Sequence, residues 1–594
     1  MLLKRFFISM LGSLAAIWIS AMLLILLGMT FAIGSIISFA GKETAEVKKN
    51  SILRLDLSGV IAEQQQKPDI ATLLRHESMP QTLGNIVDAL AAAKNDKNIE
   101  GLYIRCNGAA TGLASFEAIR NAVADFRASG KWTVAYADGY TQSDYYVATA
   151  AEEVYLNPVG EIAFQGLATG IPFMKGLLDK VGVEMQVVKV GTFKSAVEPF
   201  LLDHMSEANR LQTHVYLDNM WGKMTGAIAE SRKLEQATLN TYADSLATVT
   251  DAANLIDMKM IDGLKYVDEM RDYLKDLCNV EKDDDLNIIS VGEYMQTSPE
   301  VPNTESNKNK IAVYYASGDI TVSDSEGIAS DRVVPDILDL AEDEDIKALV
   351  LRVNSGGGSA YASEQIWHAL EVFKSKGKKF YVSMGDYAAS GGYWISCGAD
   401  RIFADPLTIT GSIGIFGMFP NIHGLSQKIG VNAVTVATNP EGLFPSLFNA
   451  PTPAQSAALQ TYINKGYDKF INRVAKGRKM KPQRVRAIAE GRVWDASAAL
   501  RLGLIDQYGS VKTACDWVRG KVKDGEKLDE VYYPQYEPGF WDIVRTASQQ
   551  AMVESLSEQI LTLQPGAELS RKAAYIISRK PVQARMPDVD MTMK

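Results

Sequence analysis

The sharpest chemical feature of this sequence is a serine between paired alanines and paired glycines, Ala388-Ala389-Ser390-Gly391-Gly392, led by the β-rich run Lys379-Phe380-Tyr381-Val382-Ser383. Two glycines after the serine remove Cβ bulk, so backbone N–H groups there can approach a ligand closely. A nucleophile for acyl transfer needs such a hydroxyl with backbone donors beside it. The same residues would also make an ordinary glycine-rich turn ahead of a helix. A second glycine run, Ser355-Gly356-Gly357-Gly358-Ser359, follows an apolar stretch and could turn bare N–H groups towards a developing oxyanion. A loop that merely needs positive φ would read the same way.

A serine hydroxyl needs a base to take its proton. The chain has five histidines, His76, His204, His214, His368 and His423. His423 lies in Phe419-Pro420-Asn421-Ile422-His423-Gly424 with no acidic residue in that segment to orient it, and His368 falls inside a predicted helix. The alternative is a lysine whose pKa is depressed by an apolar, desolvated setting. Lys194 follows an apolar strand in Val187-Val188-Lys189-Val190-Gly191-Thr192-Phe193-Lys194-Ser195-Ala196. Taken alone it would read as a solvated lysine at a strand end, so the residues by themselves leave the base open.

The elements that must position these groups recur. Alternating apolar patterns predict strands over residues 52–59, 101–105 and 131–137 and helices over 83–94 and 113–129, a β-α-β order typical of α/β folds. The order returns with strands over 310–316, 348–354 and 378–383 and helices over 335–340 and 363–374. At an offset of 247, Arg105 falls on Arg352, Asn107 on Asn354, Ser143 on Ser390 and Tyr146 on Tyr393. At an offset of 248, Pro158 falls on Pro406, Gly166 on Gly414 and Gly182-Val183 on Gly430-Val431. The chain therefore reads as a tandem duplication of one α/β domain. Each half ends in a helical portion, over 206–274 and 453–519, expected to cover the sheets or to meet neighbouring copies.

Differences between the halves are informative. Where the second has Ser355-Gly356-Gly357-Gly358-Ser359, the first has Gly108-Ala109-Ala110-Thr111-Gly112; Ser143 is followed by Asp144-Tyr145 instead of two glycines; and Gly442 stands at the place of Lys194. The second half is thus expected to hold nucleophile and oxyanion hole, with Ser143 a vestige.

The 594 residues exceed one core, and 22% charged with 47% hydrophobic residues is ordinary globular composition. A net charge of −10 without a long basic run argues against a nucleic-acid partner. Cys106, Cys278, Cys397 and Cys515 lie far apart with no metal-ligand spacing, so no metal or cofactor is expected. Residues 6–39 carry no charge, which is longer than the ~20 residues that span a bilayer. Lys4 and Arg5 precede them, so the N-terminus is expected in the cytoplasm and everything from about Gly41 onward across the membrane. The expected organisation is an anchor over 1–45, a first repeat over 46–295, a polar linker over 296–309, a second repeat over 310–535 and a C-terminal extension over 536–594.

Four motifs together, Val353-Asn354-Ser355-Gly356-Gly357-Gly358-Ser359, Ala388-Ala389-Ser390-Gly391-Gly392-Tyr393, Thr410-Gly411-Ser412-Ile413-Gly414-Ile415-Phe416-Gly417 and Val190-Gly191-Thr192-Phe193-Lys194-Ser195-Ala196-Val197-Glu198-Pro199-Phe200, resemble the signal peptide peptidase A (protease IV) family, peptidase family S49, in its long duplicated form. The likeness covers nearly the whole chain. It implies a Clp-protease/crotonase-like fold and a serine peptidase with a Ser–Lys dyad split between the repeats. Carried over, Ser390 is the nucleophile, Lys194 the base, Gly357 and Gly391 the oxyanion donors, and Ser412 the residue that orients the lysine. It also implies a homotetramer on the bacterial inner membrane, with catalytic domains on the periplasmic side, degrading remnant signal peptides. Two residues depart from the pattern: Gly356 replaces a usual proline and Phe193 a frequent tyrosine. The competing expectations are a Ser–His–Asp protease of the same fold, a crotonase-like acyl-CoA enzyme and a non-catalytic membrane scaffold.

Overall fold

The computed structural model describes residues 47–64, 81–297, 309–324, 327–521 and 528–534, and the backbone of residues 582–585. The apolar segment 6–39, His76, most of the linker and the tail beyond Met586 lie outside the described residues. No helix among the described residues is long and apolar enough to cross a membrane.

In the first repeat the strands are β1 (Ser51–Val60), β2 (Ile99–Ala110), β3 (Trp132–Ala137), β4 (Glu153–Leu156), β5 (Glu184–Val190), β6 (Gly263–Leu264) and β7 (Ile288–Ser290). Six of them form one parallel sheet in the order β6-β4-β3-β2-β1-β7. Helices α1 (Leu83–Ala93), α2 (Leu113–Arg127), α3 (Gln142–Ala148) and α4 (Glu207–Arg232) follow their strands. Four of the first five side chains of β1 are fully or nearly fully buried, as a parallel strand covered on both faces requires. Thr82 caps α1 and Ser206 caps α4, each accepting a hydrogen bond from the backbone N–H three residues on.

The second repeat contributes β8 (Lys310–Ser317), β9 (Ile320–Thr321), β10 (Ile328–Ala329), β11 (Ile346–Ser355), β12 (Gly357–Ser359), β13 (Lys379–Ala389), β14 (Arg401–Ala404), β15 (Ile409–Gly411), β16 (Ile415–Asn421), β17 (Val493–Asp495), β18 (Gln507–Tyr508) and β19 (Asp529–Tyr533). Its helices include α5 (Ser330–Glu342), α6 (Ala360–Ser375), α7 (Gly391–Ser396) and α8 (Pro453–Gly477). The main path of its sheet runs β17-β15-β13-β11-β8-β19. Equivalent side chains do equivalent work. Lys131 donates to the carbonyls of Ala93 and Asp96 after α1, and Lys378 to those of Leu340 and Asp343 after α5.

Helix α5 begins five residues before the predicted start, at Ser330, which leaves Pro335 inside it. Proline removes one hydrogen bond and crowds the carbonyl four residues back, but with Val333, Ile337, Leu340 and Ala341 buried the apolar face of the helix holds across it. The two helical portions are interrupted by the short strands β6, β17 and β18, which return to the sheets.

A third sheet joins the repeats, in the order β10-β9-β12-β20-β16-β5, where β20 is Val582–Arg585. Strand β5 of the first repeat pairs antiparallel with β16 of the second over its whole length, Val190 opposite Ile415 and Glu184 opposite Asn421. Each core also crosses the boundary: Ala389, Leu407, Ile409 and Val493 belong to the first, and Val188 and Val190 pack on the second.

Candidate active site

Ser390 stands between β13 and α7. Ala388 and Ala389 pair with Thr410 and Gly411 of β15, and the Ser390 N–H donates to the Gly411 carbonyl at 2.8 Å. The strand then turns abruptly, with Ser390 at φ 55° and its carbonyl accepting from Trp394 N–H at 2.9 Å. A left-handed conformation at a non-glycine residue costs about 1–3 kcal/mol and collects at functional sites. Gly392 has a packing reason: a Cβ there would fall 2.7 Å from the Ser355 carbonyl oxygen.

Lys194 follows β5 and leads into a 3-10 turn at Ser195–Val197. Its side chain is completely buried, with Nζ 2.8 Å from Ser390 Oγ, 3.1 Å from Ser412 Oγ and 3.2 Å from the Ser412 carbonyl oxygen. The antiparallel β5–β16 pair carries the lysine across the repeat boundary. Gly491 lets the second repeat close on it, because a Cβ there would lie 2.6 Å from Lys194 Cβ. Burial holds the amine well below its usual pKa of 10.5, and no charged partner among the described residues offsets that effect. Ser412 is fixed by its own backbone, at φ 48° with its N–H donating to the Arg492 carbonyl at 2.7 Å. Phe193, at the position of the family's frequent tyrosine, lies under the Arg492 guanidinium, 4.8 Å from carbon to ring centroid.

The oxyanion loop differs from the expectation of bare N–H groups. Gly357, Gly358 and Ser359 form β12, and Gly357 N–H donates to Ser355 Oγ at 3.1 Å. The Ser355 hydroxyl, buried beside the loop, supplies an acceptor that the glycine count does not reveal. Gly391 is the first residue of α7, where helical N–H groups have no carbonyl partner within their helix.

The first repeat shows what happened to its own copy. Ser143 sits inside α3, and its buried hydroxyl has no hydrogen-bond partner among the described residues. The Asp144 carboxylate, at the place of Gly391, accepts from Gly108 N–H at 2.9 Å and Ala109 N–H at 3.4 Å. An acid thus fills the donors of the glycine-poor loop.

The described histidines stand apart. His368 and His423 are exposed, whereas Ser390 is fully buried, and the ring contact of His423 is with Gln427. One positioning group escaped sequence reasoning. Gln212, on α4, donates to the Phe193 carbonyl at 3.2 Å and Ser195 Oγ at 3.0 Å, and its oxygen accepts Val493 N–H at 3.1 Å. It knits the lysine loop to the segment that holds Ser412. Its only signal in the sequence is its place in Leu211-Gln212-Thr213, repeated as Leu459-Gln460-Thr461.

A serine at a strained strand-to-helix turn, with a buried lysine amine within hydrogen-bond reach and helix-start donors beside it, is a constellation that suits a serine hydrolase. The chain belongs to peptidase family S49 and is a serine peptidase: the profile of that family matches residues 125–281 and 372–523, one segment in each repeat. It is 34% identical over 521 residues to "Protease 4" of Haemophilus influenzae, covering 82% of both chains. It is 32% identical to "Protease 4" of Salmonella typhi, over 89% of this chain and 87% of that one. A solved structure of a 1510-N membrane-bound stomatin-specific protease mutant with a substrate peptide matches at 17% identity and TM-score 0.26, over 41% of this chain and 99% of that one.

Proposed function

We propose that this peptidase is a membrane-anchored endopeptidase that hydrolyses extended apolar peptides, cleaved signal peptides among them, through a Ser390–Lys194 dyad. The carrying observation is the fully buried Lys194 amine 2.8 Å from Ser390 Oγ. A neutral amine has two N–H donors and one lone pair. Donating to Ser412 Oγ and the Ser412 carbonyl aims the lone pair at the serine hydroxyl, which donates to it. Lys194 takes that proton as Ser390 Oγ attacks the scissile carbonyl. The N–H groups of Gly391 and Gly357 receive the oxyanion, the second by exchanging Ser355 Oγ for it. Protonated Lys194 returns the proton to the leaving amine, and the restored amine activates the deacylating water.

The third sheet supports an extended peptide as substrate. Between β12, which carries Gly357, and β16 there is room for one strand, and the chain's own β20 fills it in antiparallel pairing with both. A slot of this kind accepts an extended peptide by completing its backbone hydrogen bonds. The Ser–His–Asp reading is disfavoured by the exposure of His368 and His423.

Membrane attachment rests on the uncharged residues 6–39 behind Lys4 and Arg5, which would place the catalytic domains on the periplasmic side of the bacterial inner membrane in contact with lipid. Assembly is supported by the repeat. At an offset of 248 the equivalents of β16 and β5 are residues 167–173 and 432–438, and neither forms a strand. In the latter, Val434 is 88% and Val436 96% exposed. Pairing residues 432–438 of one copy with 167–173 of the next would reproduce the β5–β16 junction between chains and close a ring, the family's homotetramer.

Peptide cleavage tests this reading. Purified protein should cut apolar signal-sequence peptides faster than charged ones, Ser390→Ala should not cut them, and analytical ultracentrifugation should give a tetramer. Equal turnover of an acyl-CoA thioester by both proteins, or uncut peptides, would remove it.

A further inference from the structure

The dyad is a contact between two repeats, so its geometry is set by whatever registers one repeat against the other near the serine. Four residues before Ser390, Asp386 leaves β13 and crosses that boundary. Its buried carboxylate accepts the N–H of Ser115 at 3.1 Å and the Ser115 hydroxyl at 3.0 Å, both in the first turn of α2. Gly112, the N-cap of α2, is the seat beneath it, because a Cβ there would fall 2.0 Å from Asp386 Cγ. Asn354 donates to the same carboxylate at 3.3 Å and accepts the N–H of Tyr387 at 3.0 Å.

A second first-repeat group lands on the same stretch. Glu63 accepts two hydrogen bonds from fully buried Arg352, at 2.9 and 3.0 Å, and one from Asn354 at 3.2 Å. Arg352 in turn donates to Ser383 Oγ and the Met384 carbonyl, both at 3.0 Å, and reaches Asp405 at 3.3 Å. Residues 383–387 of the nucleophile strand are thus held from the first repeat at two points.

The Asp386–Ser115 pair is not a relic of the shared fold. At an offset of 247, Asp386 corresponds to Gly139 and Ser115 to Ala362, so neither partner has a counterpart in the other copy. A paired carboxylate and hydroxyl present only where the serine's strand meets the lysine's repeat belong to the junction itself.

We propose that Asp386 is a positioning residue for the nucleophile, docked on Gly112 and Ser115 of the first repeat so that Ser390 meets Lys194 in a closed, water-free contact. The proposal rests on the dyad reading. The unit is Asp386 with Ser115: losing either half frees the strand, and losing both frees it no further. Loosening also admits water to Lys194, whose pKa is held down by desolvation.

The test uses the full-length protein with Asp386→Asn, Ser115→Ala and the double variant. It reads kcat and KM on one peptide, the rate of Ser390 acylation by a fluorophosphonate, and the pH profile of that rate. Each single variant should lose roughly 10- to 100-fold in kcat and acylation, the scale of a misplaced reacting group, with KM little changed. The double variant should be no worse than the singles. The acid limb of the pH profile should move to higher pH in all three, and Ser115→Thr, which keeps the hydroxyl, should recover the rate. Losses that multiply, an unmoved acid limb, or rates explained by the unfolded fraction in a melting curve would each overturn the proposal. If Lys194→Ala acylates like wild type, the dyad fails instead. If Lys194→Ala is inert and Asp386→Asn is not slowed, the positioning role alone falls.

Discussion

At the residue scale the site works by withholding water from one amine. Burial disfavours the charged form of Lys194 and holds its pKa well below 10.5, with no acid among the described residues to offset it. Its pKa is lowered on folding, so the unfolded chain binds the extra proton between the lowered value and 10.5. Stability therefore rises with pH through that window, and the buried amine is a liability below it. Lys194→Met should abolish peptide cleavage while raising stability by about 0.5–2 kcal/mol in a denaturant titration, the usual trade between activity and stability. Ser355 makes the opposite trade. Its hydroxyl accepts the Gly357 N–H that an oxyanion must recruit, so Ser355→Ala should raise kcat/KM a few-fold, matching the ~1 kcal/mol of one exchanged hydrogen bond. Glycines and a lysine in an apolar setting are legible as residue types. The acceptor on Gly357 and the Asp144 plug of the first repeat are not, because each depends on where a short side chain turns after the backbone has folded.

At the element scale, β5 and β16 do the joining. The apolar run before Lys194 is legible as a strand, but its partner is 225 to 237 residues away and belongs to the other repeat. Periodicity carries no information about which edge a strand finds. The α/β alternation and the internal repeat were readable because the strands of both main sheets are apolar and punctuated by helices. The third sheet was not, since β9, β10 and β12 are two or three residues long and set by glycine geometry. Gln212 ties this junction to α4, and Gln212→Ala would strand the Val493 N–H and the Phe193 carbonyl. It should cost about 1–3 kcal/mol in stability and lower kcat, read by thermal melting and peptide turnover together. Strand β20 fills the slot between β12 and β16, so ending the chain before Val582 should raise kcat/KM for a peptide by roughly 3- to 10-fold as the open fraction grows.

At the scale of the whole molecule, the proposed dyad makes the two repeats one enzyme, because Ser390 and Lys194 come from different repeats. The same boundary concentrates charge: Glu63, Asp386 and Asp405 surround one buried guanidinium, Arg352. Burial outweighs the attraction of Arg352 and pushes Asp405 up to about 7, against 3.8 in an unfolded chain. Between those values the folded protein holds a proton that the unfolded chain lacks. Stability from this group therefore falls as pH rises towards 7, with a slope of at most about 1.4 kcal/mol per pH unit. Asp405→Asn should remove a downward contribution to melting temperature between about pH 4 and 7, read as the difference between the variant's and the wild type's melting curves across pH. The duplication itself explains the division of labour, for the first repeat keeps Lys194 and has plugged its own donors with Asp144, whereas the second keeps Ser390 and the glycines.

The central claim is that Lys194 activates Ser390. The direct measurement is the rate of Ser390 acylation by a fluorophosphonate probe in wild type, Lys194→Ala and His423→Ala, followed by intact mass across pH 5–10. The dyad predicts a wild-type rate that rises with pH through a pKa well below 10.5, a Lys194→Ala rate near background at every pH, and a His423→Ala profile that overlays wild type. Rapid acylation of Lys194→Ala, or its loss in His423→Ala, would contradict it.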